Sequence, residues 1–155
     1  MNSASKRRAN AGALSAAFNA SLEELPVLLR LVEKACSRAA AQPEDAYAIR
    51  LAVEEAFSNI VRHGYPPDRP GPVRVAFIIE RQRIQITIED EAPAFDFREA
   101  PAPDLGADLE ARAVGGLGLH LIGQFMDEVR HEVLEAGGNR LVLVRRLGNT
   151  SRREK

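Results

Sequence analysis

The sequence is poor in cysteine, in net charge and in long apolar runs. A single cysteine, Cys36, excludes an internal disulfide framework. Basic and acidic residues nearly balance, leaving a net charge of −1, so no broad basic face is expected and nucleic acid is not a predicted partner. No apolar run approaches the ~20 residues that span a bilayer. The N-terminus also lacks the apolar segment of a signal peptide. These absences favour a cytoplasmic protein that does not enter a membrane.

What is present fits one globular domain. The chain has 155 residues, of which 45% are hydrophobic, and this is enough for a core of its own. Residues 1–12 are small and polar without periodicity and predict a disordered tail, and residues 149–155 predict a second tail. The basic clusters at 6–8 and 152–153 fall in these tails, where they are expected to be solvated. We therefore assign residues 13–148 to a single domain.

The first part of this domain predicts a strand and then a helix. Apolar residues alternate over 13–19, which is typical of a half-buried strand. The segment Ser21-Leu22-Glu23-Glu24 is a capping box and predicts the start of a helix that reaches about Ala41. Pro26 lies in the first turns and can shift the start or bend the axis. Cys36 has apolar neighbours at helical spacing, so it is expected in the core.

A second helix is predicted from Pro43 to His63. Proline suits the first helical position, and Gly64 suits the position after the last turn. The loop at 65–72 is rich in proline and breaks all regular structure. The apolar stripe of the helix consists of Ala46, Ile49, Val53, Ala56, Phe57 and Ile60.

Two polar residues of this helix, Glu55 and Asn59, form the first candidate site. They lie about 40° apart around the axis, away from the centre of the apolar stripe. Ala48 and Ala52 share their side, so the surface above them is expected to be low and open. A carboxylate beside a carboxamide suits a metal-bound phosphate with a base nearby. A solvated polar face is the alternative reading of the same pair.

The rest of the domain predicts two hairpins separated by a long loop and a helix. The predicted strands lie at 73–79, 84–88, 128–136 and 139–147, the loop at 91–114, and the third helix at about 116–126. A loop of this length is usually functional or mobile. Hairpin-linked strands give a mostly antiparallel sheet, and helices on one face of it make a two-layer α+β sandwich.

Two more segments carry possible binding chemistry. Asp90 ends a predicted strand, where it could accept a hydrogen bond from a ligand amine or simply begin a turn. Gly115-Gly116-Leu117-Gly118 precedes the helical residue Leu119, where free N–H groups could hold an anion, or the glycines could form a hinge. The glycine spacing is neither a dinucleotide fingerprint nor a P-loop. His63 and His120 have no cysteine or acidic partner at metal-ligand spacing, and His63 suits a helix C-terminus.

In order along the chain, these segments resemble the motifs of the GHKL ATPase superfamily. Glu55-x-x-x-Asn59 with the following residues 62–65 is similar to the N box of that superfamily. The segment Asp90 to Asp96 is similar to its first glycine box, and Gly116-Leu117-Gly118-Leu119 resembles its second. Residues 125–129 look most like those of bacterial anti-sigma-factor serine/threonine kinases of the RsbW type. The resemblance covers about residues 14–147.

The resemblance implies a Bergerat fold and the use of ATP with Mg²⁺. It implies transfer of the γ-phosphoryl group to a STAS-domain anti-sigma-factor antagonist, sequestration of a sigma factor, and a homodimer. Glu55 would be the base, Asn59 the Mg²⁺ ligand and Asp90 the acceptor for the adenine amino group. The implied nucleotide-binding residues are Asn59, His63, Asp90, Ala94, Phe95, Arg112, Gly115, Gly116, Leu117, Gly118 and Leu119.

Two departures from the family pattern leave alternatives open. The first glycine box usually reads Asp-x-Gly-x-Gly, whereas alanine stands at Ala92 and Ala94 here, with Pro93 between them. The arginine expected just before the second box is offset, at Arg112. A non-catalytic module that binds the sigma factor or the antagonist is therefore the second hypothesis. A detached histidine-kinase ATPase domain is the third, although the chain has no phosphoacceptor helix pair.

Overall fold

A single antiparallel sheet organises the computed structural model, which describes residues 12–94 and 122–148. The strand order is β1-β2-β3-β5-β4. The strands are β1 (Ala13–Asn19), β2 (Pro72–Glu80), β3 (Arg83–Asp90), β4 (Glu128–Val133) and β5 (Asn139–Arg146). All neighbouring strands pair antiparallel. The predicted strands and the α+β class are confirmed, with β4 ending at Val133 rather than near 136.

Two helices connect β1 to β2, namely α1 (Leu25–Arg38) and α2 (Pro43–Asn59). The capping box begins a short 3₁₀ helix at Leu22–Glu24, and the Ser21 side chain accepts a hydrogen bond from the Glu23 N–H at 3.3 Å. The α-helix then begins at Leu25, one residue before Pro26, so the predicted shift of the start is confirmed. Proline removes a backbone donor that the first helical turn does not use, which explains why it is tolerated there.

The end of α2 differs from the expectation of one continuous helix to His63. Regular α-helix stops at Asn59, and a single wide π-helical turn follows at Ile60–Gly64. Such single π-helical turns are rare and are frequently found at functional sites.

The core lies between the helices and one face of the sheet. Alternation along β3 buries Ile84, Ile86 and Ile88 completely or nearly so. From the helices, the buried side chains include Leu28, Val32, Cys36, Ile49, Val53 and Phe57. Cys36 is therefore a core residue, as expected, and burial together with nearby Asp45 and Glu33 raises the pKa of its thiol to about 11.

One expectation about α2 is wrong. Ala48 and Ala52 do not form an open surface, since they are only 2% and 1% exposed, and Asn59 is also buried. The buried arc of the helix is wider than the single stripe that the apolar pattern indicated. A wide buried arc is expected of a helix that is covered by more than one neighbouring element.

The third predicted helix is described only in part. Residues 122–125 are helical, and both Ile122 and Met126 are buried in the same core. The two predicted tails lie outside the described residues except for Gly12, and so does the loop from 95 to 114. No helix within 12–94 or 122–148 is long and apolar enough to cross a membrane.

Candidate functional site

A cavity opens where the C-terminal end of α2 meets the last residues of β3 and the first residues of β5. Its walls are mostly apolar, with a few polar side chains among them. The lining residues are Ala56, Asn59, Ile60, Gly64, Ile88, Asp90, Ile122, His131, Asn139 and Leu141. Apolar walls with a few convergent polar groups are typical of a small-molecule site.

Asp90 is the acidic group of this cavity. It follows the buried series Ile84, Ile86 and Ile88 at the two-residue period of a strand, so its side chain is on the helix-facing side of the sheet. It is 6% exposed, and its Oδ1 accepts hydrogen bonds from the Ala92 N–H and from Asn139 Nδ2, both at 3.0 Å. Burial raises the pKa of Asp90, and the hydrogen bond from Asn139 opposes that shift.

Asn139 and His131 are cavity residues that the motifs did not reveal. Asn139 pairs directly opposite Asp90 in the β3–β5 register, and its side chain is buried. Nδ2 of Asn139 also lies 3.4 Å from the Ala92 carbonyl oxygen and 3.2 Å from that of Pro93. His131 Nε2 lies 3.0 Å from Asn139 Oδ1. Alignment of β3 with β5 would have placed Asn139 beside Asp90, but the sequence alone does not fix that alignment.

The turn before β5 is close enough to β3 to require glycine. Gly138 has a φ of 105°, which side chains rarely adopt, and a Cβ there would overlap the carbonyl oxygen of Asp90. Gly137 also has a positive φ, of 95°, but a Cβ there would meet no atom within 4 Å. The Gly137-Gly138 turn thus does more than reverse the chain, because it lets β5 begin directly against Asp90.

Asn59 supplies the second polar group of the cavity. It is the last residue of regular helix in α2 and is 8% exposed. Its Nδ2 has no hydrogen-bond partner among the residues that the structure describes. An amide buried without a partner costs about 1–3 kcal/mol. The cost is recovered if a ligand in the cavity provides the missing interaction.

Comparison with known proteins identifies the family. The histidine kinase-like ATPase domain matches residues 18–145 of the chain. The chain belongs to this family. It is 33% identical over 98 residues to the serine-protein kinase RsbW of Listeria monocytogenes, covering 61% of the chain and 62% of the relative. It is 38% identical over 87 residues to the serine-protein kinase RsbW of Bacillus subtilis, covering 53% of the chain and 54% of the relative. The chain thus spans between half and two thirds of these relatives.

A solved structure agrees with the histidine kinase-like fold. The crystal structure of the RsbU and RsbW domains of a Mycobacterium tuberculosis protein superposes with a TM-score of 0.61. It covers 87% of this chain and 32% of that one, at 20% identity. The expected resemblance to the RsbW type, and the Bergerat fold that it implied, are confirmed by these matches.

Ala92 and Ala94, which stand where the ATPase family usually has glycine, have different surroundings. Ala92 is 2% exposed, and a Cβ on Gly64 would lie 3.4 Å from the Ala92 Cβ and 3.3 Å from Ile60 Cγ2. The absence of a side chain at Gly64 therefore leaves room for the Ala92 methyl group. Ala94 is exposed and does not line the cavity.

Other expected site residues of this ATPase domain lie away from the cavity or outside the described residues. Glu55 is half-buried, one helical turn before Asn59, and is not a lining residue. His63 is exposed in the π-helical turn, and Ile60 and Gly64 of that turn line the cavity instead. The expected residues Phe95, Arg112, Gly115, Gly116, Leu117, Gly118 and Leu119 all lie outside the described residues.

Tyr65 fixes the chain that follows α2 against the cavity. Its hydroxyl donates to the Pro72 carbonyl oxygen at 2.7 Å and accepts from the Glu91 N–H at 2.6 Å. Its ring lies against Gly71, where any Cβ would overlap it. The ordinary pKa of a tyrosine hydroxyl already lies well above neutrality, and burial raises the pKa of Tyr65 further, so the protonated hydroxyl can keep both hydrogen bonds.

Proposed function

We propose that the protein is an ATP-dependent protein serine/threonine kinase that also acts as an anti-sigma factor. Its phosphoryl acceptor would be a STAS-domain anti-sigma-factor antagonist. The observation that carries the proposal is the presence of two buried polar groups in one cavity of a histidine kinase-like ATPase domain. One is the carboxylate of Asp90, and the other is the amide of Asn59, whose Nδ2 has no hydrogen-bond partner within residues 12–94 and 122–148.

Asp90 fits the adenine end of a nucleotide. A carboxylate at the end of an apolar cavity accepts a hydrogen bond from an exocyclic amine, and Ile88 and Leu141 offer apolar surface beside it. Because Asp90 is nearly out of contact with water, an N–H donor in the cavity would compete with little solvent.

Asn59 fits the Mg²⁺ and phosphate end. Which end of an amide is oxygen follows from its hydrogen bonds, and Asn59 Nδ2 has none among the described residues, so the oxygen can equally face the cavity. Mg²⁺ takes few protein ligands beside phosphates and water, and one amide oxygen is a reasonable share. When bound, Mg²⁺ would neutralise the charge of the phosphates during transfer.

Glu55 is the proposed base. It is one helical turn from Asn59, and its partial exposure leaves it reachable by a second protein. Its carboxylate would accept the proton of the acceptor hydroxyl as that oxygen bonds to the γ-phosphorus of ATP and the bond to the β-phosphate oxygen breaks, releasing ADP. Phosphoryl transfer depends mostly on positioning and charge neutralisation, so a single acceptor for the proton suffices on the protein side.

The partners follow from the family resemblance. The relatives from Listeria monocytogenes and Bacillus subtilis are both named serine-protein kinases. A sigma factor, an antagonist and a second copy of the chain are the partners that the resemblance implies. The runner-up is a non-catalytic binding module, which Ala92 and Ala94 favour. Against it, Gly64 leaves room for the Ala92 methyl group, and Ala94 does not line the cavity.

The deciding experiment combines binding and transfer. The protein is incubated with Mg-ATP and candidate STAS-domain antagonists, and each antagonist is analysed by mass spectrometry for phosphoserine or phosphothreonine. We expect one phosphorylated residue in the cognate antagonist and none when the kinase is omitted. ATP binding without transfer to any antagonist that the protein binds would favour the binding module. No ATP binding at all would overturn both the kinase and its nucleotide site.

A further inference from the structure

Three side chains form a continuous hydrogen-bonded series at one end of the cavity. His131 on β4 contacts Asn139 on β5, and Asn139 contacts Asp90 on β3. The two contacts are both 3.0 Å long. Asn139 and Asp90 are buried, His131 is half-buried, and all three line the cavity. The series crosses three adjacent strands, so the sheet itself sets the spacing of its members.

The direction of the donors in this series is determined by its surroundings. Asn139 Nδ2 faces three oxygen acceptors, namely the carboxylate of Asp90 and the carbonyl groups of Ala92 and Pro93. A reversed amide would place an oxygen against all three, which is unfavourable. The amide oxygen therefore faces His131, and Nε2 of His131 carries the hydrogen that it accepts.

This direction decides what Asp90 offers to a ligand. Because Asn139 donates to it, the carboxylate can remain an ionised acceptor although it is buried. Without that donor only the Ala92 N–H would donate to Asp90 Oδ1, and burial would shift Asp90 further towards the protonated form, whose O–H group is a donor. An ionised Asp90 accepts a hydrogen bond and so selects a base with an amino group. A protonated Asp90 can donate one and so tolerates a base with a carbonyl group at the same place.

We propose that Asn139, held in orientation by His131, is a positioning residue that keeps Asp90 a hydrogen-bond acceptor and thereby makes the cavity select an amino-purine over an oxo-purine. This inference rests on the proposed ATP site. It assigns a selectivity role to two residues outside the motifs from which that site was inferred. The same amide also holds the Ala92-Pro93 turn, where this chain departs from the glycine pattern.

The test compares the affinities of ATP and ITP, which differ only in the purine base: ITP has a carbonyl group in place of the amino group. Affinity is measured for the full chain by competition against a fluorescent ATP analogue in Mg²⁺ buffer. We expect Asn139→Ala to lower the ratio of ATP affinity to ITP affinity by roughly ten- to hundredfold, as for loss of a hydrogen bond to a charged group. His131→Leu should lower the ratio in the same direction, and His131→Gln, which keeps an N–H donor, should preserve it.

Controls separate positioning from folding. Val133→Ala changes an exposed residue of the same strand, 57% exposed, and should leave the ratio unchanged. Melting curves with and without ATP show whether each variant is folded at the assay temperature. An equal loss of ATP and ITP binding in both Asn139→Ala and His131→Leu would make the series merely structural and overturn the inference. An unchanged ratio in Asn139→Ala would overturn it too while leaving the ATP site in place. Failure of the unmodified protein to bind ATP would instead overturn the proposed function itself.

Discussion

Asp45 and Arg145, one hundred residues apart in the chain, form a buried ion pair. Arg145 Nε and Nη2 both lie 2.9 Å from Asp45 Oδ1, and each residue is 5% exposed. Asp45 Oδ2 accepts from the Gly148 N–H at 3.1 Å, and Arg145 Nη1 donates to the Phe125 carbonyl oxygen. The pair therefore joins the start of α2, the end of β5 and the helical residues before β4.

We predict that breaking this pair on one side is strongly destabilising. Arg145→Met leaves the carboxylate of Asp45 buried without its cation, which costs about 3–5 kcal/mol. Asp45→Asn with Arg145→Met should cost less than the sum of the two single changes, because neither charge remains unpaired. Urea unfolding of the four variants measures both quantities, and additive losses would contradict the coupling.

We predict different outcomes for the two glycines of the turn before β5. Gly137→Ala should cost on the order of 1 kcal/mol, from its positive φ alone. Gly138→Ala should cost more and also weaken ATP binding, because its Cβ would displace the carbonyl of Asp90. Thermal unfolding and nucleotide titration of both variants check this pair. Equal losses of stability would show that the close approach at Gly138 has no energetic weight.

We predict a compensating relationship between Gly64 and Ala92. Gly64→Ala adds a methyl group 3.3 Å from Ile60 Cγ2 and 3.4 Å from the Ala92 methyl group, and this should weaken nucleotide binding because relieving the contacts moves residues beside the cavity. Adding Ala92→Gly removes one of these two neighbours and should restore part of the affinity. Isothermal titration of the two single variants and the double variant measures the coupling. If the effects of the two changes on affinity are simply additive, the two methyl groups are not in contact and the prediction is wrong.

We predict that Glu55 and Asn59 separate transfer from binding. Glu55→Ala should abolish phosphoryl transfer and retain ATP affinity, since the residue does not line the cavity. Asn59→Ala should reduce ATP affinity in the presence of Mg²⁺ more than in its absence. The measurements are antagonist phosphorylation and ATP titration with and without EDTA. Transfer at the unmodified rate in Glu55→Ala would remove that residue from the proposed role of base.

We predict a pH dependence of stability from Asp90. Burial raises the pKa of Asp90 above the ordinary value of 3.8. Between that value and the pKa of the folded state, the folded protein therefore binds more protons than the unfolded chain. The contribution of Asp90 to stability is therefore most favourable at low pH and decreases as pH rises through the folded-state pKa. Asp90→Asn should be more stable than the unmodified protein above that pKa, with the difference shrinking on acidification. Unfolding curves from pH 4 to pH 8 measure the difference, and a constant difference would exclude the linkage.

The fold could be predicted because its elements have clear periods. Alternation defined the strands, and Pro43 and Gly64 bounded α2 and its π-helical turn. Two of the four polar side chains that line the cavity were also predictable, since Asp90 and Asn59 belong to motifs in the sequence. Asn139 and His131 were not, because they meet Asp90 only through a register between strands 49 residues apart in the chain.

The wrong expectation of an open surface over Ala48 and Ala52 also has a physical cause. A stripe of large apolar residues predicted which side of the helix faces the sheet, but alanine reports burial weakly. Ala48 and Ala52 are almost as deeply buried as Val53. The polar Asn59 is buried with them. Burial of small and polar residues depends on which elements cover them, and a single-helix pattern carries no such information.

The tight β2–β3 turn has a consequence for how this chain can be altered. Gln82, with a φ of 65°, sets which residue of β3 opposes which residue of β2. Inserting one residue into β3 between this turn and Asp90 would reverse the side on which every later side chain projects, and Asp90 would then point to the opposite face. Inserting two residues would restore the side but move the carboxylate along the strand. Tolerance to insertions should therefore alternate between odd and even lengths. The face on which Asp90 projects, at the end of β3, thus depends on the number of residues between it and the turn at the start of β3.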